Sequence, residues 1–134
     1  MEPAAQSREE LTAELVRLNA EVAQLMREMG SEPSVQDYLE FRASIGRVQA
    51  EFDDAINRLG ALLGMGSAKS RILALLQMRV GRVVTKDELA GVSGIVDFQR
   101  RVRELRQDDG YEISSMESHP GLRPGEYVLI SRHR

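Results

Sequence analysis

Apolar residues recur at helical spacing through the first half of the chain. Leu11, Leu15, Leu18, Val22, Leu25 and Met29 lie 4, 3, 4, 3 and 4 residues apart, the alternation of a coiled-coil seam. Ser7 with Glu10 reads as a capping box opening this helix, and Gly30 suits the left-handed position that closes it. After "GSEPS" the pattern resumes behind a capping Ser34. Tyr38, Phe41, Ile45, Val48, Phe52, Ala55, Leu59 and Leu62 are spaced 3, 4, 3, 4, 3, 4 and 3. So short a connection predicts an antiparallel helical hairpin, and one hairpin covers its two stripes incompletely. Self-association into a four-helix bundle is therefore expected. Its dimerisation contacts would be Leu11, Leu15, Leu18, Val22, Leu25, Ile45, Val48, Phe52 and Leu59. Nothing in an all-apolar seam fixes its register or chooses a dimer over a higher oligomer.

The period changes after "GMGS" (Gly64 to Ser67), which reads as a hinge between a domain at 1–66 and a second at 67–134. In the second half Ile72, Leu73, Leu75, Leu76 and Val80 form a broad helical face that Gly81 ends. "RVV" is a short extended segment. Thr85 and Glu88 make a capping box for the short helix "KDELAG", and Gly91 with Ser93-Gly94 forms a turn. A third helix is predicted from about Ile95 to Gln107, with Ile95, Phe98, Val102 and Leu105 inward. "YEIS" and "EYVLIS" alternate as strands around a loop containing "HPGLRPG". The fold class is mainly α with a small β-hairpin wing: a coiled-coil hairpin, then helix, short strand, helix, turn, helix and hairpin.

Composition narrows the function. With 134 residues, 42% hydrophobic and 29% charged, the chain is neither disordered nor membrane-spanning in character. Only three Phe, three Tyr and no Trp are present, so the core rests on aliphatic residues and Met. Zero cysteines exclude disulfides and thiolate metal sites and fit a reducing compartment; with an N-terminus lacking a leader pattern, a cytoplasmic protein is expected. The net charge of −3 divides unevenly. Residues 1–66 carry 6 Lys and Arg against 12 Asp and Glu, a balance of −6. Residues 67–134 carry 12 against 9, a balance of +3. That asymmetry suggests divided labour.

The segment "VVTKDELAGVSGIVDFQRRVRELRQDDGYEI" resembles the helix-turn-helix core of winged helices of the biotin-operon-repressor type. It is also similar to winged helices attached to restriction-type nucleases and methyltransferases. The likeness rests on Thr85 to Leu89, Val92 to Gly94, Arg103 to Arg106 and Gly110 to Ile113. It covers about half the chain and leaves the hairpin unmatched. The resemblance implies a winged helix-turn-helix whose third helix faces the major groove of double-stranded DNA.

On that helix Arg100 falls near the centre of the outward face with Arg103 beside it and Arg101 at a flank. Guanidinium can bond guanine bidentately, so Arg100 is the leading DNA contact and Arg103 the next. Lys86 at a helix start, with Arg82 before it, suits a backbone phosphate. Lys69, Arg71 and the wing's Arg123 complete the expected DNA-binding set. Structural alternatives stand beside these roles. Arg101 and Glu104 are spaced to pair on a solvated face. Arg106 leans toward the core and is expected to pair with Asp108 or Glu88. Asp97 on the docking face would repel phosphate.

The two histidines, His119 and His133, lack ligand-spaced neighbours, so no metal or other cofactor is expected. No phosphate loop, nucleophile elbow or paired-carboxylate constellation stands out, and no catalytic residue is assigned. The reading is a non-enzymatic dimeric DNA-binding protein, a transcriptional regulator or an accessory subunit. The alternative is a protein–protein adaptor whose winged helix and hairpin dock other proteins.

Overall fold

The computed structural model describes residues 7–116 and 118–133; the extreme N-terminus, where a leader pattern was sought, lies outside the described residues. Among those residues the order is α1 (Arg8–Met29), α2 (Val35–Leu62), α3 (Ala68–Met78), β1 (Val84–Thr85), α4 (Lys86–Ser93), α5 (Phe98–Gln107), β2 (Ile113–Ser114) and β3 (Glu126–Leu129). The fold is mainly helical with one small antiparallel sheet, a helical hairpin followed by a winged-helix-like unit. Two compact units divide between Gly64 and Met65.

In the first unit Ser7 Oγ accepts from the Glu10 amide at 3.1 Å, one half of the expected box. At α2 the box is complete but uses Asp37. The Asp37 amide donates to Ser34 Oγ at 3.0 Å, and Asp37 Oδ2 accepts from the Ser34 amide at 3.0 Å. Gly30, at φ 79°, makes the positive-φ turn between the helices. Leu11, Leu18, Val48 and Ala55 are each at most 1% exposed. Three residues expected on an intermolecular seam, Leu11, Leu18 and Val48, are thus enclosed by their own hairpin. Leu15, Val22, Leu25, Ile45, Phe52 and Leu59 remain half-buried. Ion pairs beside the seam supply what its apolar residues lack. Arg58 Nη2 bonds both carboxylate oxygens of Glu14 at 3.2 Å, and Arg47 bonds Glu21. Such pairs add only about 0.2–1 kcal/mol each at a surface, but a shifted register would break them.

The second unit folds around Ile72, Leu76, Val84, Leu89, Phe98, Val102, Leu105, Ile113 and Leu129. Its sheet has the order β1-β3-β2, both pairings antiparallel. Val84 opposes Tyr127, and Ile113 opposes Leu129, so the two outer strands each place an apolar side chain against the same central strand. Phe98 meets Tyr127 edge-on, with centroids 6.1 Å apart at 81°.

Three boundaries differ from expectation. First, α3 stops at Met78, and the Gly81 amide donates to Leu129 O at 2.8 Å instead of closing the helix. Second, α4 continues through Gly91 to Ser93. Third, α5 begins at Phe98, leaving Ile95 and Val96 in a turn, 38% and 94% exposed. The periodicity that drew Ile95 into the helix is overridden by Gly94, whose left-handed φ of 71° ends α4.

The capping box of α4 is present: the Glu88 amide donates to Thr85 Oγ1 at 3.2 Å and Glu88 accepts from the Thr85 amide at 3.1 Å. Glu88 also bonds Arg79, not Arg106. The Arg79 guanidinium, aided by the Thr85 amide, holds the Glu88 carboxyl below its ordinary value of 4.5.

Two expected outcomes follow from this packing. Leu18→Asp should abolish most hairpin helicity by circular dichroism, because an unpaired buried carboxylate costs several kcal/mol. Val16→Asp, at a position 65% exposed, should leave it intact. Equal helicity in both variants would show that the hairpin does not bury Leu18. Glu88 stabilises the second unit above pH 4.5, and this contribution is lost as pH falls through its lowered folded value. Urea midpoints read on NMR signals of this unit should therefore decline less steeply with acidification in Glu88→Gln. Parallel acid limbs would contradict the assignment.

Candidate nucleic-acid interface

The candidate interface begins with a buried serine. Ser93, fully buried, sits at the end of α4. Its hydroxyl lies 3.1 Å from Ala90 O and 3.2 Å from Ile95 O, and accepts from the Ile95 amide at 3.2 Å. These bonds fold residues 94–97 tightly and fix where α5 starts. Asp97 caps α5 without a side-chain hydrogen bond.

The helix then sorts itself by period. Phe98, Val102 and Leu105 are at most 4% exposed and lock one side into the core. Gln99, Arg100, Arg103 and Gln107 are exposed on the other side. Among the described residues the most exposed large apolar side chain is Val96, 94% exposed just before the first turn.

The eight expected cations divide into distinct groups. Arg71 is built into the scaffold. Its Nε donates to Val92 O at 2.7 Å, Nη2 to Ser93 O at 2.6 Å and Nη1 to Met65 O at 2.9 Å. A guanidinium tied to three carbonyls is not available to phosphate, and the expectation for Arg71 is corrected accordingly. Lys69 pairs with Asp109 at 3.0 Å. Arg101 binds both oxygens of Glu104 at 2.7 and 2.9 Å, the structural alternative raised by its spacing. Arg100 is only loosely held, its Nε 3.8 Å from Glu104. Arg82 makes a long 3.4 Å contact to Met78 O. Among the described residues the side chains of Arg103, Lys86 and Arg123 have no hydrogen-bond or ion-pair partner.

Lys86 is placed by the wing. Its amide donates to Gly125 O at 2.6 Å, and its aliphatic stem covers Gly125. A Cβ at position 125 would lie 2.9 Å from Lys86 Cδ, and the backbone φ is +80°. Only glycine suits that approach. Glu126 accepts from the Arg123 amide at 2.7 Å, which shapes the wing's last turn and leaves the Arg123 guanidinium outward.

Sequence reasoning missed one structural cation and the partner of another. Arg79 joins the end of α3 to Glu88, and Arg106 donates through Nε to Ile113 O at 2.9 Å rather than pairing with Asp108 or Glu88. The lean of Arg106 toward the core was legible from its helical phase; its carbonyl partner in β2 was not.

Residues 69–130 match the family model described as KpnI N-terminal domain, a restriction-enzyme domain. The match runs from the first turn of α3 to just past β3 and leaves the hairpin outside. No curated protein and no solved structure matches the chain.

Arg71 and Arg103 should separate cleanly in a stability measurement. Arg71→Lys should lower the stability of the second unit by about 1–3 kcal/mol in urea, since an ammonium cannot reproduce the three-way fork. Arg103→Ala should stay within about 0.5 kcal/mol of the parent chain. A neutral Arg71→Lys would return that residue to the list of available cations.

Proposed function

We propose that the outward face of α5 docks double-stranded DNA, with Arg103 and Arg100 as the base-reading side chains. The observation that carries this reading is the free Arg103 guanidinium. It stands beside the loosely held Arg100 on a helix whose opposite side is locked into the core. The match to a restriction-enzyme domain over the same span supports it. Lys86 and Arg123 are the accompanying backbone and wing contacts, and Arg82 reinforces Lys86. Arg101 and Lys69, engaged by Glu104 and Asp109, take no direct part. The protein serves without catalysis of its own, as an accessory DNA-binding component of a restriction-type system or as a transcriptional regulator, in the cytoplasm.

Dimerisation through the hairpin completes the reading. Its support is the apolar surface that one hairpin leaves uncovered: Val16, Met26, Val35, Tyr38, Leu39 and Ile56 are 43–76% exposed. A groove of about 410 Å³ runs along Met29, Tyr38, Phe41, Ile45 and Gly46. Exposed patches of this kind mark association surfaces. Among the described residues no helix is long and apolar enough to cross a membrane.

Titration of duplexes selected from random DNA at rising salt tests both parts. Arg103→Ala should lose about 1–3 kcal/mol on the selected sequence, and Arg101→Ala much less. Lys86→Ala should weaken all duplexes alike and reduce the salt slope by about one. A duplex with two half-sites should bind roughly 10²–10⁴-fold more tightly than one with a single half-site. Failure to shift any duplex at low salt would sink the DNA reading and favour an adaptor that docks protein on this face. DNA binding without a second-site gain would sink the dimer alone.

A further inference from the structure

The last turn of α5 and strand β2 border an open pocket of about 360 Å³ lined by Arg106, Glu112, Ile113, Ser114, Ser115 and Ser118. Arg106 lies about 120° around the helix from Arg100 and about 60° from Arg103, so this pocket flanks the proposed DNA face. Its Nε donates to Ile113 O at 2.9 Å, which orients the guanidinium. Among the described residues its two Nη groups have no partner.

Ser114 supplies an independent observation. It is only 9% exposed, yet its hydroxyl has no hydrogen-bond partner among the described residues. The hydroxyl oxygen itself reaches solvent, so it is free to donate to a ligand that enters the pocket. Ser115 and Ser118 form the adjoining turn. The Ser115 amide donates to Ser118 Oγ at 3.1 Å, and Ser118 Oγ lies 3.4 Å from Ser115 O.

We propose that this pocket is a phosphate-binding site. A pre-oriented guanidinium fork and serine hydroxyl donors match the several acceptor oxygens of a phosphate group. The pocket has room for an ester substituent as well. Glu112 opposes the anion, but it is exposed and screened by water, so it weakens the site without reversing its sign. The ligand is either a small phosphate monoester or a phosphodiester of a nucleic-acid backbone; the chemistry is shared.

The test is an NMR titration of the full chain with inorganic phosphate, against chloride at equal ionic strength. Saturable shifts are expected at the amides of Ser114, Ser115 and Ser118. Arg106→Gln and Ser114→Ala should each weaken binding roughly tenfold or more, and Glu112→Gln should tighten it. Ser114→Ala keeps the Arg106–Ile113 bond and so guards against a purely structural loss. Displacement of phosphate by duplex DNA would assign the site to a backbone phosphodiester, and retention would assign it to a small monoester; both support the site. Shifts no larger than in chloride, or unaffected by both donor substitutions, would overturn it. Because the readout needs no DNA, its failure is separable from failure of the proposed function.

Discussion

One guanidinium sets the geometry on which the second unit depends. Helix α4 ends with carbonyls that have no partner within the helix, and Val92 O and Ser93 O are two of them. Arg71, in the first turn of α3, donates to both and also to Met65 O. A cation at the C-terminal end of a helix is favoured by the helix dipole as well as by its hydrogen bonds. With α4 held there, Gly94 can turn left-handed and Ser93 can bond the start of the next segment. The direction of α5, and with it every side chain α5 presents, follows from that clamp. Arg71 is therefore most consequential where it touches no partner molecule.

The same reasoning changes what the charge of this half means. A balance of +3 over residues 67–134 is a formal sum, whereas binding depends on which charges are free. Arg71 and Arg79 fasten helices, Lys69 faces Asp109, and Arg101 faces Glu104. The three carboxylate pairs cancel locally, while the Arg71 charge is fixed in the scaffold by carbonyls. What remains for the α5 face is sparse: Arg103 and Arg100 on the helix, Lys86 and Arg82 around the start of α4, and Arg123 before β3, with Arg106 tied through Nε to Ile113 O. Asp97 lies at the head of the same helix and opposes them. A face with few cations gains selectivity from geometry more than from counterion release.

The sequence exposed most of what is local. Heptad spacing located both helices of the hairpin, and Ser34 and Thr85 announced helix starts because capping is a short-range bond. The outward placement of Arg100 and Arg103 also followed, since it needs only the helical period and the inward Phe98, Val102 and Leu105. Periodicity failed at Ile95, where Ser93 and Gly94 form a turn that an apolar residue does not reveal. Nor could it say what covers Leu11, Leu18 and Val48, which lie inside their own hairpin. An a/d stripe looks the same whether its partner is the next helix or another chain. The partners of Arg71 and Arg106 were illegible for a third reason: they are backbone carbonyls, and a carbonyl has no residue identity to read.

The small sheet and helix α4 are mechanically one piece, and the cause is the position of Thr85. It is the last residue of β1, opposite Glu126, and also the cap of α4. The next residue, Lys86, bonds Gly125 through its amide and covers that glycine with its stem. Strand β3 is central in the sheet, so the same strand that carries this contact also aligns β2 through Ile113 and Leu129. Displacing the base of the wing would therefore disturb the start of α4 and the register of β2 together. The absence of a Cβ at Gly125 allows that convergence. Lys86 bonds Gly125 and the Arg123 amide bonds Glu126, the first residue of β3, so the placement of both is tied to the sheet.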